Sequence, residues 1–176
     1  MRTVRLMQVL FLAAFMVLDT LTVVVFNSFG LSGINYISSM AFVGLLLFQQ
    51  TDSNTELVFK ILMVTAWLEL NHVGSFPIFI STYLITFLIM AIIKTVIGTD
   101  IQEFYVSVIL ALTLKESITY IILTQFKGMI ISPLNFVVER SFWVIVGSLF
   151  VVPLVVSMNK KMHRYILQKS QNIYIN

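Results

Sequence analysis

The chain contains no cysteine and few charged residues, and both shortages narrow what it can be. Without cysteine there is no disulfide, no thiolate metal site and no cysteine nucleophile. Charged residues make up 11% of the 176 residues, against roughly 25% in an average soluble domain. Hydrophobic residues make up 59%, which is more apolar surface than a soluble core of this size can hide. The composition therefore predicts one all-α, polytopic integral membrane domain over residues 1–176.

Motifs typical of nucleotide-binding and hydrolytic enzymes are also missing. The sequence has no G-x-x-x-x-G-K-[ST], no H-E-x-x-H and no G-x-S-x-G. Glu69 and His72 have the E-x-x-H spacing that places two metal ligands on one helical face. A di-metal bundle needs this motif twice, and the other histidine, His163, lies in the C-terminal tail. We expect His72 to be an exposed turn residue, and the chain to be no enzyme and to bind no metal, cofactor or nucleic acid.

The apolar runs have the length of membrane helices. A helix needs about 20 apolar residues to cross, because it rises about 1.5 Å per residue through about 30 Å of hydrocarbon. Six candidate spans cover residues 6–26, 34–48, 56–70, 76–93, 103–123 and 134–158. We interpret the first as a retained span, and the second and third are short enough to be tilted or partly re-entrant. Ser132 is predicted to cap the last span with Pro133 at its first helical position, and Pro153 to kink it.

Lysine and arginine are distributed unevenly between the predicted loops. If the N-terminus is cytoplasmic, that side collects eight of them: Arg2, Arg5, Lys60, Lys94, Lys160, Lys161, Arg164 and Lys169. The opposite loops hold only Lys127. Because cytoplasmic loops are enriched in these residues, the bias predicts six helices with both termini in the cytoplasm.

Ionisable residues interrupt or border several spans. They are Asp19, Glu69, Lys115, Glu116, Glu139 and Arg140. A charge in hydrocarbon costs about 2.5–3.5 kcal/mol on insertion scales, so each should face a partner or water. Adjacent helix residues point about 100° apart, so we expect Lys115 and Glu116 not to satisfy each other. The alternating direction of the spans places the acidic residues and Arg140 in the outer half of the membrane, where Glu116 with Arg140 is the leading predicted pair.

This polar layer has three interpretations. Its members can be structural bridges that fix helix packing. They can instead form a surface or cavity that receives a partner helix or a ligand. A proton or ion pathway is the least favoured, because a relay needs polar groups through the inner half of the membrane, and that half is almost bare.

Three segments carry a recognisable pattern. Residues 66–89 (AWLELNHVGSFPIFISTYLITFLI) end one span with an acidic residue before a glycine-containing turn, residues 114–117 (LKES) put an acid inside the fifth span, and residues 135–155 (NFVVERSFWVIVGSLFVVPLV) open the sixth with an acid–arginine pair. Together with the basic tail, these segments resemble the MreD family of bacterial rod shape-determining membrane proteins. Glu69, Glu116 and the pair Glu139–Arg140 match the family pattern, whereas Asp19 inherits no role from it.

The resemblance implies a non-enzymatic scaffold of the bacterial cell-elongation (rod) complex, which regulates cell shape and lateral peptidoglycan synthesis. The implied partner is an MreC-like single-span membrane protein, and indirectly MreB, RodA and a class B penicillin-binding protein. The implied location is the bacterial inner membrane, with multiple passes. The intramembrane polar residues would then bind the partner or hold the helices together.

A different class of membrane protein has a similar outline. The substrate-binding S-component of an energy-coupling-factor vitamin transporter is of similar size, with six helices and a polar pocket in the outer half. Residues 11–21 (FLAAFMVLDTL) lack the A-x-x-x-A pattern with which such subunits dock their transmembrane partner. The outer loops are also short and poor in tryptophan and charge. A small pore or antiporter is the remaining alternative.

Overall fold

The computed structural model describes residues 2–28, 39–72, 75–93 and 101–173, with the side chains of residues 4–25, 39–72, 75–93, 102–162 and 164. The described residues form helices and turns, without strands. The helices are α1 (Arg2–Ser28), α2 (Met40–Gln49), α3 (Asn54–Asn71), α4 (Ile78–Ile93), α5 (Ile101–Ile121), α6 (Pro133–Phe136) and α7 (Phe142–Ile173). Two π-helical segments, π1 (Ile122–Phe126) and π2 (Val137–Ser141), extend α5 and join α6 to α7.

Within these residues, three helices are long and apolar enough to cross a membrane. They cover Val4–Val25, Gln102–Phe126 and Pro133–Met162, at the first, fifth and sixth predicted spans. The helices α2 and α4 are apolar but shorter, and α3 has 18 residues. The all-helical class and the membrane-helix character are confirmed, whereas six spans with both termini inside stay a prediction. Residues 34–38 of the second predicted span, Lys94, and the side chains of Arg2, His163 and Lys169 lie outside the described residues.

Side-chain contacts set the directions of the first three helices. Near the start of α1, Gln8 Nε2 donates to Asp52 Oδ1, 3.3 Å away in the turn after α2. Near the other end of α1, Thr20 Oγ1 accepts from Trp67 Nε1 of α3 at 3.1 Å. The helices α1 and α3 therefore run parallel, and α2 runs antiparallel to both.

The later helices continue this alternation. Lys127, just after π1, donates to the carbonyl oxygen of Phe76 before α4 at 3.1 Å. Tyr120, late in α5, donates to the carbonyl oxygen of Ile131 before α6 at 3.2 Å. The ends of α1, α3 and α5 thus meet the starts of α2, α4 and α6 at one end of the bundle, called the upper end below. The opposite end is called the lower end.

The short helix α2 lies inside the bundle, and eight of its ten residues are buried. It packs against α1, α3 and α7. Its Phe42 meets Tyr83 and Phe87 of α4 edge-on, with ring centroids 5.1 and 5.4 Å apart. A Cβ added to Gly44 would lie 3.2 Å from Leu12 Cδ2, so glycine permits the close approach of α1. A helix that is apolar all round is suited to such a central position.

Local sequence signals explain the connection between α5 and the last long helix. Gly128 follows π1 with a φ of 65°, a conformation in which glycine has no steric penalty. Ser132 Oγ accepts from Asn135 N at 3.2 Å, with Pro133 at the first helical position, so the predicted start of this helix is confirmed. Pro153 lies inside α7, and a kink there stays a prediction.

Candidate intramembrane polar site

The structure contains the ion pair between Glu116 and Arg140. Arg140 Nε donates to Glu116 Oε2 at 2.9 Å. The Glu116 side chain is 3% exposed and that of Arg140 is 17% exposed. The Arg140 guanidinium also lies over the Phe136 ring, 5.6 Å from its centroid. Because Arg140 belongs to π2, the pair connects α5 to the beginning of the last long helix within the bundle.

The expectation that Lys115 and Glu116 do not pair was wrong. Lys115 Nζ lies 3.0 Å from Glu116 Oε1, and both side chains are buried. The flexible four-carbon stem of lysine lets the ammonium reach a carboxylate that leaves the helix about 100° away. The ammonium also lies 5.4 Å from the centroid of the Phe42 ring. Glu116 therefore lies between two cations, which together with it form the ion triad Lys115–Glu116–Arg140.

Asp19 caps the central helix α2 from the neighbouring helix α1. Its Oδ1 accepts from Met40 N and its Oδ2 from Ala41 N, both at 3.0 Å. The side chain of Ser39, the residue at the N-cap position, makes no capping hydrogen bond. A carboxylate satisfies the unpaired N–H groups at a helix start and is favoured there by the helix dipole. Asp19 therefore stabilises the start of α2.

Glu69 of α3 caps the next helix, α4, in the same way. Its Oε1 accepts from Phe79 N at 2.8 Å and from Ile80 N at 3.3 Å. Its Oε2 accepts from the hydroxyl of Ser75 in the turn between α3 and α4. Glu69 thus closes α3 and caps α4, and this contact holds the two helices together at the upper end.

Glu69 and His72, which have the E-x-x-H spacing, each contact backbone groups in the structure. The His72 ring is half-buried, not exposed as expected, and its Nδ1 lies 2.9 Å from the carbonyl oxygen of Leu68. Among the residues that the structure describes, no three His, Asp or Glu side chains are grouped to hold a metal ion.

Of the predicted site residues, Glu139 lies apart from the others. It lies in π2 next to Arg140, but its side chain is exposed. The predicted polar layer therefore consists, in the described part of the chain, of two helix caps and the ion triad, all toward the upper end.

The structure contains a second buried charge cluster that the sequence pattern did not predict. The pattern places Lys60 only among the charges on the cytoplasmic side. Lys60 Nζ donates to Gln8 Oε1 at 2.7 Å and forms a salt bridge with Asp52. The Lys60 and Asp52 side chains are each 4% exposed, and the ammonium lies 4.6 Å from the centroid of the Phe48 ring. A sequence signal existed, since Gln8 interrupts the apolar first span. This cluster connects α1, α3 and the turn after α2 at the lower end.

A groove runs between α5 and the segment formed by α6, π2 and α7. Its volume is about 390 Å³. Its walls are mostly apolar, with Tyr120, Phe136 and Phe142 among the lining residues, and Glu116 of the ion triad also lines it. The groove therefore brings an apolar surface and a buried charged group together at the same depth.

Comparisons with known proteins give no match: no family model, no curated protein and no solved structure matches the chain. What the chain does is therefore inferred from its geometry and from the resemblance of its motifs.

Proposed function

We propose that the chain is a non-enzymatic membrane scaffold that binds a single-span membrane partner and serves the bacterial cell-elongation (rod) complex. The partner is an MreC-like protein, and through it the scaffold acts with MreB, RodA and a class B penicillin-binding protein. The location is the bacterial inner membrane, which the chain crosses several times. In this role it regulates cell shape and lateral peptidoglycan synthesis.

The observation that carries the proposal is the buried ion triad beside an open apolar groove. Lys115 and Arg140 both pair with Glu116 inside the bundle, so these charges compensate one another and the surrounding surface is mainly apolar. The groove next to them is lined by residues of both α5 and the last long helix. An apolar groove between fixed helices is a surface on which another membrane helix can pack.

The resemblance to the MreD family is the basis for naming the complex. The energetics of helix association in membranes agree with a scaffold that binds its partner mainly through packing. Glu69, Glu116 and Arg140 occupy the positions that match the MreD pattern, and each takes part in an interhelix contact. Interhelical polar contacts in membranes average about 0.6 kcal/mol, so packing against the apolar walls has to supply most of the affinity.

The test is affinity purification of the tagged chain from native membranes, with depletion of the chain in a rod-shaped host. We expect recovery of a single-span protein with a coiled-coil region, and rounding of the depleted cells. Arg140→Leu should reduce partner recovery, whereas the matched control Glu139→Gln, which removes an exposed neighbouring charge, should not. Recovery of a pair of ABC-type ATPases or of a tightly bound vitamin would instead identify an S-component of a vitamin transporter.

A further inference from the structure

The lower part of α7 has an exposed face that changes from apolar to basic along the helix. Phe150 and Leu154 are 80% and 46% exposed. Farther along, Lys160, Lys161 and Arg164 are exposed. Because successive helix residues are about 100° apart, all five lie within an arc of about 120°. These five residues therefore form one surface, called the α7 stripe below, which is apolar at one end and basic at the other.

Packing on the opposite side of α7 fixes the direction of this stripe. Val155 is buried, and Met158 and Met162 pack against the hydrophobic core. All three lie outside the arc of the stripe. The α7 stripe therefore faces away from the bundle, toward whatever surrounds the protein.

The cations of the stripe have no counter-ion within the described part of the chain. The salt bridges of the described residues use other cations, and Lys160, Lys161 and Arg164 have no further contact of this kind with a described residue. The buried Lys60, in contrast, is paired with Asp52. Three positive charges on one exposed face are thus available to a negative group outside the chain.

The ion pair between α5 and π2 gives the depth of these charges. It places Glu116 and Arg140 at one level. The helix α5 begins at Ile101, fifteen positions before Glu116, and the same number of positions after Arg140 leads to Val155. Lys160 lies five positions farther, which is about 7.5 Å of helix rise. Since the headgroup layers together add about 10–15 Å to the hydrocarbon core, the basic end of the stripe lies at headgroup level.

The order of groups along the stripe matches that of a phospholipid. Acyl chains fit beside Phe150 and Leu154, and the phosphate reaches the cations one to two helical turns farther on. The preference of lysine and arginine for the cytoplasmic side explains which side these charges occupy, but it does not place them in line with an exposed apolar face. Uncompensated cations favour a headgroup with net negative charge over a zwitterionic one, because basic clusters next to a membrane helix attract anionic lipids.

We propose that the α7 stripe binds an anionic phospholipid of the leaflet at the lower end, with the phosphate on Lys160, Lys161 and Arg164 and an acyl chain along Phe150 and Leu154. This site is separate from the groove and does not depend on the partner of the proposed function.

Native mass spectrometry of the purified chain tests the preference for anionic lipid. The probes are phosphatidylglycerol and phosphatidylcholine with identical acyl chains. Lys161→Gln should weaken phosphatidylglycerol binding by about fivefold, and loss of all three cations to glutamine by at least about fiftyfold. The matched control Lys127→Gln removes an exposed cation at the upper end and should change binding by less than about twofold, because it lies beyond the screening length. Phosphatidylcholine binding should be the same in every variant.

A photoactivatable phosphatidylglycerol with a diazirine in one acyl chain provides a second readout, which is position. After irradiation and digestion, we expect the label on residues 150–157. Millimolar glycerol phosphate should not displace the lipid, because it has the same anionic group but no acyl chain to cover the apolar end of the stripe. Unfolding temperatures should match that of the unsubstituted chain, because all the substituted side chains are exposed.

Four results would each overturn the proposal. They are equal binding of the two lipids, equal losses from Lys161→Gln and Lys127→Gln, labelling mainly on another helix, and displacement by glycerol phosphate, which would identify a site for free anions. Lipid binding that survives the loss of all three cations would assign them to another partner, such as an acidic protein segment. If the triple variant does not fold, the comparison of Lys161→Gln with Lys127→Gln decides. None of these results bears on the scaffold function.

Discussion

The ion triad predicts an unequal effect of removing its members. Glu116→Gln leaves two cations, Lys115 and Arg140, without their shared counter-ion. Arg140→Gln leaves Glu116 with Lys115, whose Nζ lies 3.0 Å from Oε1. The two substitutions remove one charge each and replace it with the same neutral side chain, so their difference reports how the charges are arranged.

The magnitudes follow from burial. Removing one partner of a buried ion pair costs about 3–5 kcal/mol because the remaining charge is uncompensated. We expect Glu116→Gln near the top of this range, since the side chains of Lys115 and Glu116 are 5% and 3% exposed. Arg140→Gln should cost about 2 kcal/mol, because Glu116 keeps one cation and Arg140 is itself partly exposed. The gap of about 3 kcal/mol corresponds to roughly a 150-fold difference in the unfolding equilibrium constant.

The assay is reversible unfolding of the purified chain in bicelles, with steric trapping to measure the free energy of unfolding. Glu139→Gln is the matched control, because it removes an exposed charge next to Arg140 and should change the free energy of unfolding by no more than about 0.5 kcal/mol. A cost for Arg140→Gln that equals or exceeds that of Glu116→Gln would refute the shared counter-ion.

The same unfolding assay tests three other contacts. Asp19→Ala should cost about 0.5–2 kcal/mol as α2 loses its cap, and Asp19→Asn should cost less because an acceptor oxygen remains; equal costs would argue against the cap. Lys60→Met should cost about 3–5 kcal/mol by leaving the Asp52 carboxylate buried and unpaired, and adding Asp52→Asn should recover most of that loss; without recovery, the two residues are not coupled. Gly44→Val should cost about 1–3 kcal/mol by overpacking against Leu12, and a neutral result would contradict the close approach of α1 and α2.

The features that the sequence could predict are those set by local pattern and by depth. Apolar runs in the sequence predicted where helices lie among the described residues, because a membrane segment must satisfy its own backbone polar groups with internal hydrogen bonds. Ser132 with Pro133 marked a helix start because both residues act within one turn. The ion pair between Glu116 and Arg140 was predictable because counting residues along two antiparallel spans places both residues at a similar depth in the membrane.

The two helix caps could not be predicted from the sequence. Rules for helix starts use side chains within a few residues of the first turn. Asp19 is 21 positions from Met40 and Glu69 is 10 positions from Phe79. Only the packing of α1 beside α2 and of α3 beside α4 shows which N–H groups each carboxylate accepts from. The same limit explains the roles of Lys115 and Lys60, since lysine side chains bend toward partners that helical geometry alone does not identify.

The cap that Asp19 places on α2 has a consequence for how the chain enters a bilayer during synthesis. Until α2 arrives, the carboxylate of Asp19 makes α1 alone less favourable in lipid by about 2.5–3.5 kcal/mol. The ten residues of α2 rise about 15 Å, too little to cross alone. Each helix thus needs the other, so we expect the translocon to release them together as a helical hairpin. Glu69 likewise caps α4 from α3, and we expect these two helices to insert as a second hairpin.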